Sequence, residues 1–92
     1  MKAVGYLVIL GVRFRVVEKR MAGAWGECDI EKARINIKPD LDGGVWWTTL
    51  WHEVIHAVEQ QLSLGLTEAQ VDGLASGFVT SPQVQLKLGR GN

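Results

Sequence analysis

The chain has 92 residues, enough for one small domain. Its 47 % hydrophobic content excludes a disordered chain, and its zero formal net charge argues against a nucleic-acid partner. A single cysteine, Cys28, excludes an intramolecular disulfide, so a reducing, cytoplasmic setting is expected.

Lys2 followed by Ala3 to Val12 has the outline of a signal peptide. The apolar run is short, however, and Arg13 and Arg15 follow without a small-residue cleavage site. The alternation Val12-Arg13-Phe14-Arg15-Val16 is that of a strand. Tyr6–Leu10 and Val12–Glu18 are β-rich runs broken at Gly11, readable as a tight hairpin or as one bent strand with a bulge. Lys19 to Gly26 is a polar connection. Trp25–Asp29 and Ala33–Ile37 read as two further strands with a turn over Asp29–Lys32, and Pro39 closes the strand-rich half. No run is long enough to span a membrane, so no membrane partner is expected.

The hydrophobic period then changes. Trp47, Leu50, Trp51, Val54, Ile55, Val58 and Leu62 recur at helical spacing, with Asp40 or Asp42 available as the N-cap. Gly65 is the expected stop. Thr67-Glu68-Ala69-Gln70 has the form of a capping box, with Leu66 and Val71 as its hydrophobic staple, so a second helix is expected over 67–80. Its apolar residues are Val71, Leu74, Ala75, Phe78 and Val79. Gly73 and Gly77 would permit close packing on the first helix. Ser81-Pro82 ends it. The expected organisation is a single α+β domain over 1–86 and a flexible tail over 87–92.

The first predicted helix carries His52-Glu53-Val54-Ile55-His56, which uses both histidines of the chain. Residues i and i+4 share a helix face, so two imidazoles can hold one Zn²⁺ per chain. The intervening Glu53 can then serve as general base. Shuffling this composition produces the HExxH pattern roughly once in 700 chains, so chance is a poor account of it. Acidic residues also concentrate here: residues 39–92 carry six Asp/Glu and two Lys/Arg, against four and eight in residues 1–38. A catalytic zinc normally has three protein ligands. Glu68 and Asp72 stand four apart on the second predicted helix, on one face. Simple hairpin register puts Asp72 nearer His56 and Glu68 nearer the turn, so geometry alone favours Asp72 as the third ligand. Cys28 is readable as a zinc ligand, a reactive thiol or a small buried apolar residue, the last being ordinary.

The order of a strand-rich region, Leu50-Trp51-His52-Glu53-Val54-Ile55-His56-Ala57 and then Glu68-Ala69-Gln70-Val71-Asp72-Gly73-Leu74-Ala75 resembles the ImmA/IrrE-like zinc metallopeptidases, especially their very small phage and prophage relatives. The likeness runs over about residues 5 to 79. It implies a minimal zincin-like fold: a small antiparallel or mixed sheet, the HExxH helix and a second packed helix. In that pattern Glu68 is the third ligand, and Asp72 matches the acidic residue that hydrogen-bonds a ligand histidine in gluzincins. The implied reaction is zinc-assisted hydrolysis of a peptide bond with Glu53 as base. The strand before the helix, Arg34-Ile35-Asn36-Ile37, would be the edge along which a peptide or protein substrate lies.

No histidine beyond this pair and no well-placed arginine is evident to stabilise an oxyanion, and Tyr6 is distant in sequence. Two other functions therefore stand beside the peptidase: a non-catalytic metal-binding module that engages a protein partner, and a purely structural zinc. Exposure of Trp46, Trp47 or Trp51 would point to a partner surface.

Overall fold

The computed structural model describes residues 1–80. Its elements run β1 (Lys2–Ile9), β2 (Val12–Glu18), β3 (Gly26–Asp29), β4 (Arg34–Ile37), α1 (Gly43–Gln61) and α2 (Glu68–Thr80). The expected α+β class is the class found. The boundary at residue 86 and the tail over 87–92 lie outside the described residues.

Of the two readings of Gly11, the tight hairpin is the one found. Ile9 pairs with Val12, and the intervening Leu10 and Gly11 both have positive φ, 50° and 79°. That is the signature of a two-residue I′ turn, whose twist matches the flanking strands. A bulge does occur, but between Ala3 and Gly5. The β3–β4 turn is closed by Asp29, whose Oδ1 accepts the Lys32 N–H at 3.1 Å.

The sheet order is β1-β2-β4-β3, with β4 parallel to β2 and antiparallel to β3. This corrects one expectation. Arg34-Ile35-Asn36-Ile37 is an interior strand with partners on both sides, so it offers no edge to a substrate. Burial explains the choice. Ile35, Asn36 and Ile37 are all at most 2 % exposed, which suits a central strand, whereas Gly26-Glu27-Cys28-Asp29 is polar and short, as edges tend to be.

Helix α1 lies across one face of the sheet. Asp42 is its N-cap, accepting the Gly44 N–H at 3.2 Å, while Asp40 instead pairs with Arg20. Trp46, Leu50 and Ala57 join Phe14, Val16, Ile35 and Ile37 in the main core. Trp46 is the residue that the apolar stripe missed. Its line continues through Leu50 to Glu53 and Ala57, and the acid and the alanine disguise it. Its indole N–H donates to Glu18 Oε2 at 2.8 Å, so the ring is buried without stranding a donor. Trp51 and Ile55 face α2, beside Val71, Ala75 and Leu66. Trp46, Trp47 and Trp51 are therefore packed residues, and the exposed tryptophan is Trp25, at 58 %.

Helix α1 stops three residues before the expected Gly65. Leu62 is its C-cap, and Ser63 takes the left-handed conformation at φ 54°. The Ser63 N–H bonds Gln60 O at 3.3 Å and the Leu64 N–H bonds Glu59 O at 2.9 Å, the paired bonds of a Schellman motif. Leu62 is thus a cap, 53 % exposed, rather than part of the packed stripe. At the other end of the connection the capping box forms as expected. The Thr67 N–H donates to Gln70 Oε1 at 2.9 Å, and the Gln70 N–H donates to Thr67 Oγ1 at 3.1 Å.

Helix α2 buries only Val71 and Ala75 among its residues; Leu74 is 44 % exposed and Phe78, against Trp51, is 37 % exposed. Gly73 and Gly77 do not serve close packing, since a Cβ at either would meet open space. Among the described residues no helix is long and apolar enough to cross a membrane.

So lightly buried a helix leans on its cap. Thr67→Ala should lower unfolding stability by about 1 kcal/mol in urea denaturation, whereas Gly73→Ala, into open space, should be neutral or stabilising.

Candidate metal centre

The α1–α2 connection sets which acid meets which histidine. Because the chain doubles back after Leu62, α2 starts beside His56 rather than beside Gln60. Glu68 therefore reaches both rings, its Oε1 at 2.9 Å from His56 Nε2 and its Oε2 at 3.2 Å from His52 Nε2. Asp72, one turn further on, meets His52 and not His56: its Oδ1 lies 2.7 Å from His52 Nδ1. The register expected for a simple hairpin is thus displaced by one helical turn. That displacement makes Glu68 the shared residue and sets Asp72 behind one ring.

The two imidazoles turn the same atom inward. His52 Nε2 and His56 Nε2 stand 3.1 Å apart, with the rings edge to face. Each outward Nδ1 faces a carboxylate: Asp72 for His52, and Glu59 Oε2, at 3.3 Å, for His56. Carboxylates so placed hold a ligand histidine in one tautomer and one orientation, with Nε2 presented as a lone pair. Sequence reasoning gave Glu59 no role. The signal was present as an acid three residues after His56, on the same side of the helix.

His52, His56 and Glu68 together offer three donor atoms within 4.8 Å of one another. Donors about 2.0–2.1 Å from a tetrahedral ion lie about 3.3 Å apart. The two Nε2 atoms are 3.1 Å apart, and Glu68 comes to 2.9 Å of His56 Nε2 through Oε1 and to 3.2 Å of His52 Nε2 through Oε2, all within a few tenths of that figure. The three residues fit a small divalent cation. His52 and His56 are partly buried and Glu68 is exposed, so the site opens to solvent on the α2 side.

Glu53 is 6 % exposed and reaches Gly26 of β3. Gly26 makes room for it. A Cβ on Gly26 would stand 2.7 Å from Thr49 Cγ2, 3.1 Å from Glu53 Oε2 and 3.2 Å from Glu53 Cγ. Only a residue without a side chain lets the edge strand come this near the helix. Burial raises the carboxyl pKa of Glu53 above its ordinary value, and the two histidines partly oppose the shift. Burial likewise pushes the Cys28 thiol up to about 12, helped by the nearby charges of Glu53, Asp29 and Glu59. Cys28 packs against the main core and, among the described residues, belongs to no cluster of ligands, which fits the ordinary small apolar residue.

A cleft of about 930 Å³ adjoins Glu53 and His52, between the 21–26 segment and the first half of α1. Among the described residues, Lys38 is the only Lys or Arg that lines it. Tyr6 plays no part there: it is on β1, at the opposite edge of the sheet, with Arg13 stacked 3.9 Å over its ring. No family model, curated protein or solved structure matches the chain.

The contact at Gly26 gives a direct test. Gly26→Ala should cost about 1–3 kcal/mol in urea denaturation, as overpacking does. The three donors are untouched, so metal content should be retained.

Proposed function

We propose that the protein binds one Zn²⁺ through His52, His56 and Glu68 and hydrolyses peptide bonds, with Glu53 as general base. The observation that carries this reading is the convergence of both Nε2 atoms and the Glu68 carboxylate within 2.9–3.2 Å, each ring backed by its own acid. A zinc ion held there supplies Lewis acidity and lowers the pKa of a water. Glu53, beside His52 and facing the cleft, is placed to take a proton from an attacking water and return it to the leaving amine. Its raised pKa suits a group that both accepts and donates. Three donors and a buried acid suit catalysis better than a structural zinc, which takes four protein ligands and needs no base.

The edge available to an extended substrate is β3 rather than β4. Among the described residues, Lys38 is the one lysine or arginine that lines the cleft, and it is the candidate to assist an oxyanion. That no other such group among the described residues lines the cleft favours, as the second reading, a metal-binding module that holds a protein partner without turnover. The resemblance to ImmA/IrrE-like metallopeptidases and the zincin-like description belong to the same proposal, as does a cytoplasmic location, for which the single cysteine is the support.

Purified protein should contain about one zinc per chain by atomic emission. His52→Ala, His56→Ala and Glu68→Ala should each abolish stoichiometric binding. Asp72→Ala and Glu59→Ala should weaken it about 10–100-fold in competition with a chelator. Glu53→Gln should keep the metal and lose all cleavage of an unbiased peptide library. Full zinc occupancy after replacing both histidines would overturn the proposal.

A further inference from the structure

The free end of the β1–β2 hairpin is apolar, where turns are ordinarily polar. Its I′ turn holds Leu10 at φ 50°, a conformation that glycine, asparagine or aspartate adopts far more readily than leucine. Core packing does not compensate: Leu10 is 55 % exposed, with Val8 at 71 % and Val12 at 40 % beside it. The end projects from the sheet, because β4 pairs with β2 only from Arg15 to Glu18. It is also held in place, since Gln61 Nε2 donates to the Ile9 carbonyl at 3.2 Å.

Charge is distributed to match. Ile9, Phe14 and Val16 belong to the core, so alternation turns Tyr6, Val8, Arg13 and Arg15 to the opposite face of the sheet. Tyr6 pairs with Arg15 and Val8 with Arg13, and the Arg13 guanidinium lies 3.9 Å from the centre of the Tyr6 ring. Residues 1–17 contain Lys2, Arg13 and Arg15 and no acid. Among the described residues the acids of that face, Glu27 and Asp29, are on β3, at the far edge.

We infer that the hairpin is a peripheral contact for an anionic lipid surface, with Val8, Leu10 and Val12 entering the acyl boundary and Arg13 and Arg15 meeting headgroup phosphates. Shape and charge together choose this occupant. Aliphatic side chains on a projecting tip need a fluid apolar layer rather than a matching groove. Cations directly behind them complement anionic headgroups. Either signal alone anchors poorly, and the hairpin combines both. A second copy fits less well, because a two-fold contact sets the same arginines together. Nucleic acid would engage the arginines and leave the aliphatic tip unused. A peripheral contact needs none of the spanning runs whose lack set the expectation of no membrane partner. It lies on β1 and β2, at the other edge from β3 and Gly26, and is independent of the proposed metal chemistry.

The test is co-sedimentation of the full-length protein with sucrose-loaded vesicles, either phosphatidylcholine alone or with about a third phosphatidylserine. At low salt the anionic vesicles should bind it about tenfold or more tightly than the neutral ones, and about 0.5 M NaCl should remove most of that difference. Leu10→Asn should weaken binding to the anionic vesicles about tenfold. Asparagine suits the left-handed turn, so the same variant should resist urea at least as well as the wild type, which separates lost binding from lost folding. Arg13→Gln and Arg15→Gln, at exposed positions, should each weaken binding about fivefold and test the charge independently. Equal binding to both vesicles, binding to neither, or undiminished binding by Leu10→Asn would overturn the inference. So would binding to polyglutamate or duplex DNA without binding to vesicles, which would assign the hairpin to a soluble acidic partner.

Discussion

Everything at the proposed metal centre depends on where α2 begins relative to α1. The two histidines come from one helix and need only its period. The third donor must be delivered by a separate element, and an error of one turn exchanges Glu68 for Asp72. The six-residue connection fixes that register at both ends. The Schellman bonds from Ser63 and Leu64 turn the chain back along α1, and the reciprocal Thr67–Gln70 bonds start α2 beside His56. Leu66 then anchors the connection against Ile55 and Val71. With α2 burying only two side chains, these local bonds carry an unusual share of the helix's placement.

The second constraint is polar. Glu53 and Glu59 are 6 % and 9 % exposed, and a buried carboxylate is costly unless something nearby favours it. Each has a different answer. Glu59 faces the Nδ1 of His56, which can donate to it. Glu53 lies against the Gly26 backbone, and its burial raises its carboxyl pKa above the ordinary value, so the neutral form is favoured. The close approach that Gly26 permits thus connects the sheet to the chemistry. Trp25 and Gly26 both line the cleft beside Glu53.

Local signals were legible wherever the chemistry was local. The break at Gly11, an aspartate cap for α1, the capping box and the i,i+4 histidines could all be read from short windows, because the partners lie within a few residues of one another, while hairpin against bulge and Asp42 against Asp40 stayed open. What failed was non-local. Nothing in Arg34–Ile37 alone shows that β2 takes it as a parallel neighbour and moves the edge to β3. The choice between Glu68 and Asp72 was open because loop geometry decides it, and the stop at Ser63 was hidden because a serine fills a position usually held by glycine. Trp46 escaped because its core line passes through Glu53. Gly26 could not be recognised at all, since its reason is a contact with Thr49 and Glu53 more than twenty residues away.

The central claim is that His52, His56 and Glu68 are the metal's protein ligands, with Asp72 and Glu59 behind the rings. Anomalous diffraction at the zinc edge from crystals of the zinc-loaded protein tests it most directly. The account predicts one peak per chain about 2.0–2.2 Å from both Nε2 atoms and from a Glu68 oxygen, with Asp72 still on His52 Nδ1. A peak bound through Asp72 or through either Nδ1, or no peak between the two helices, would contradict it.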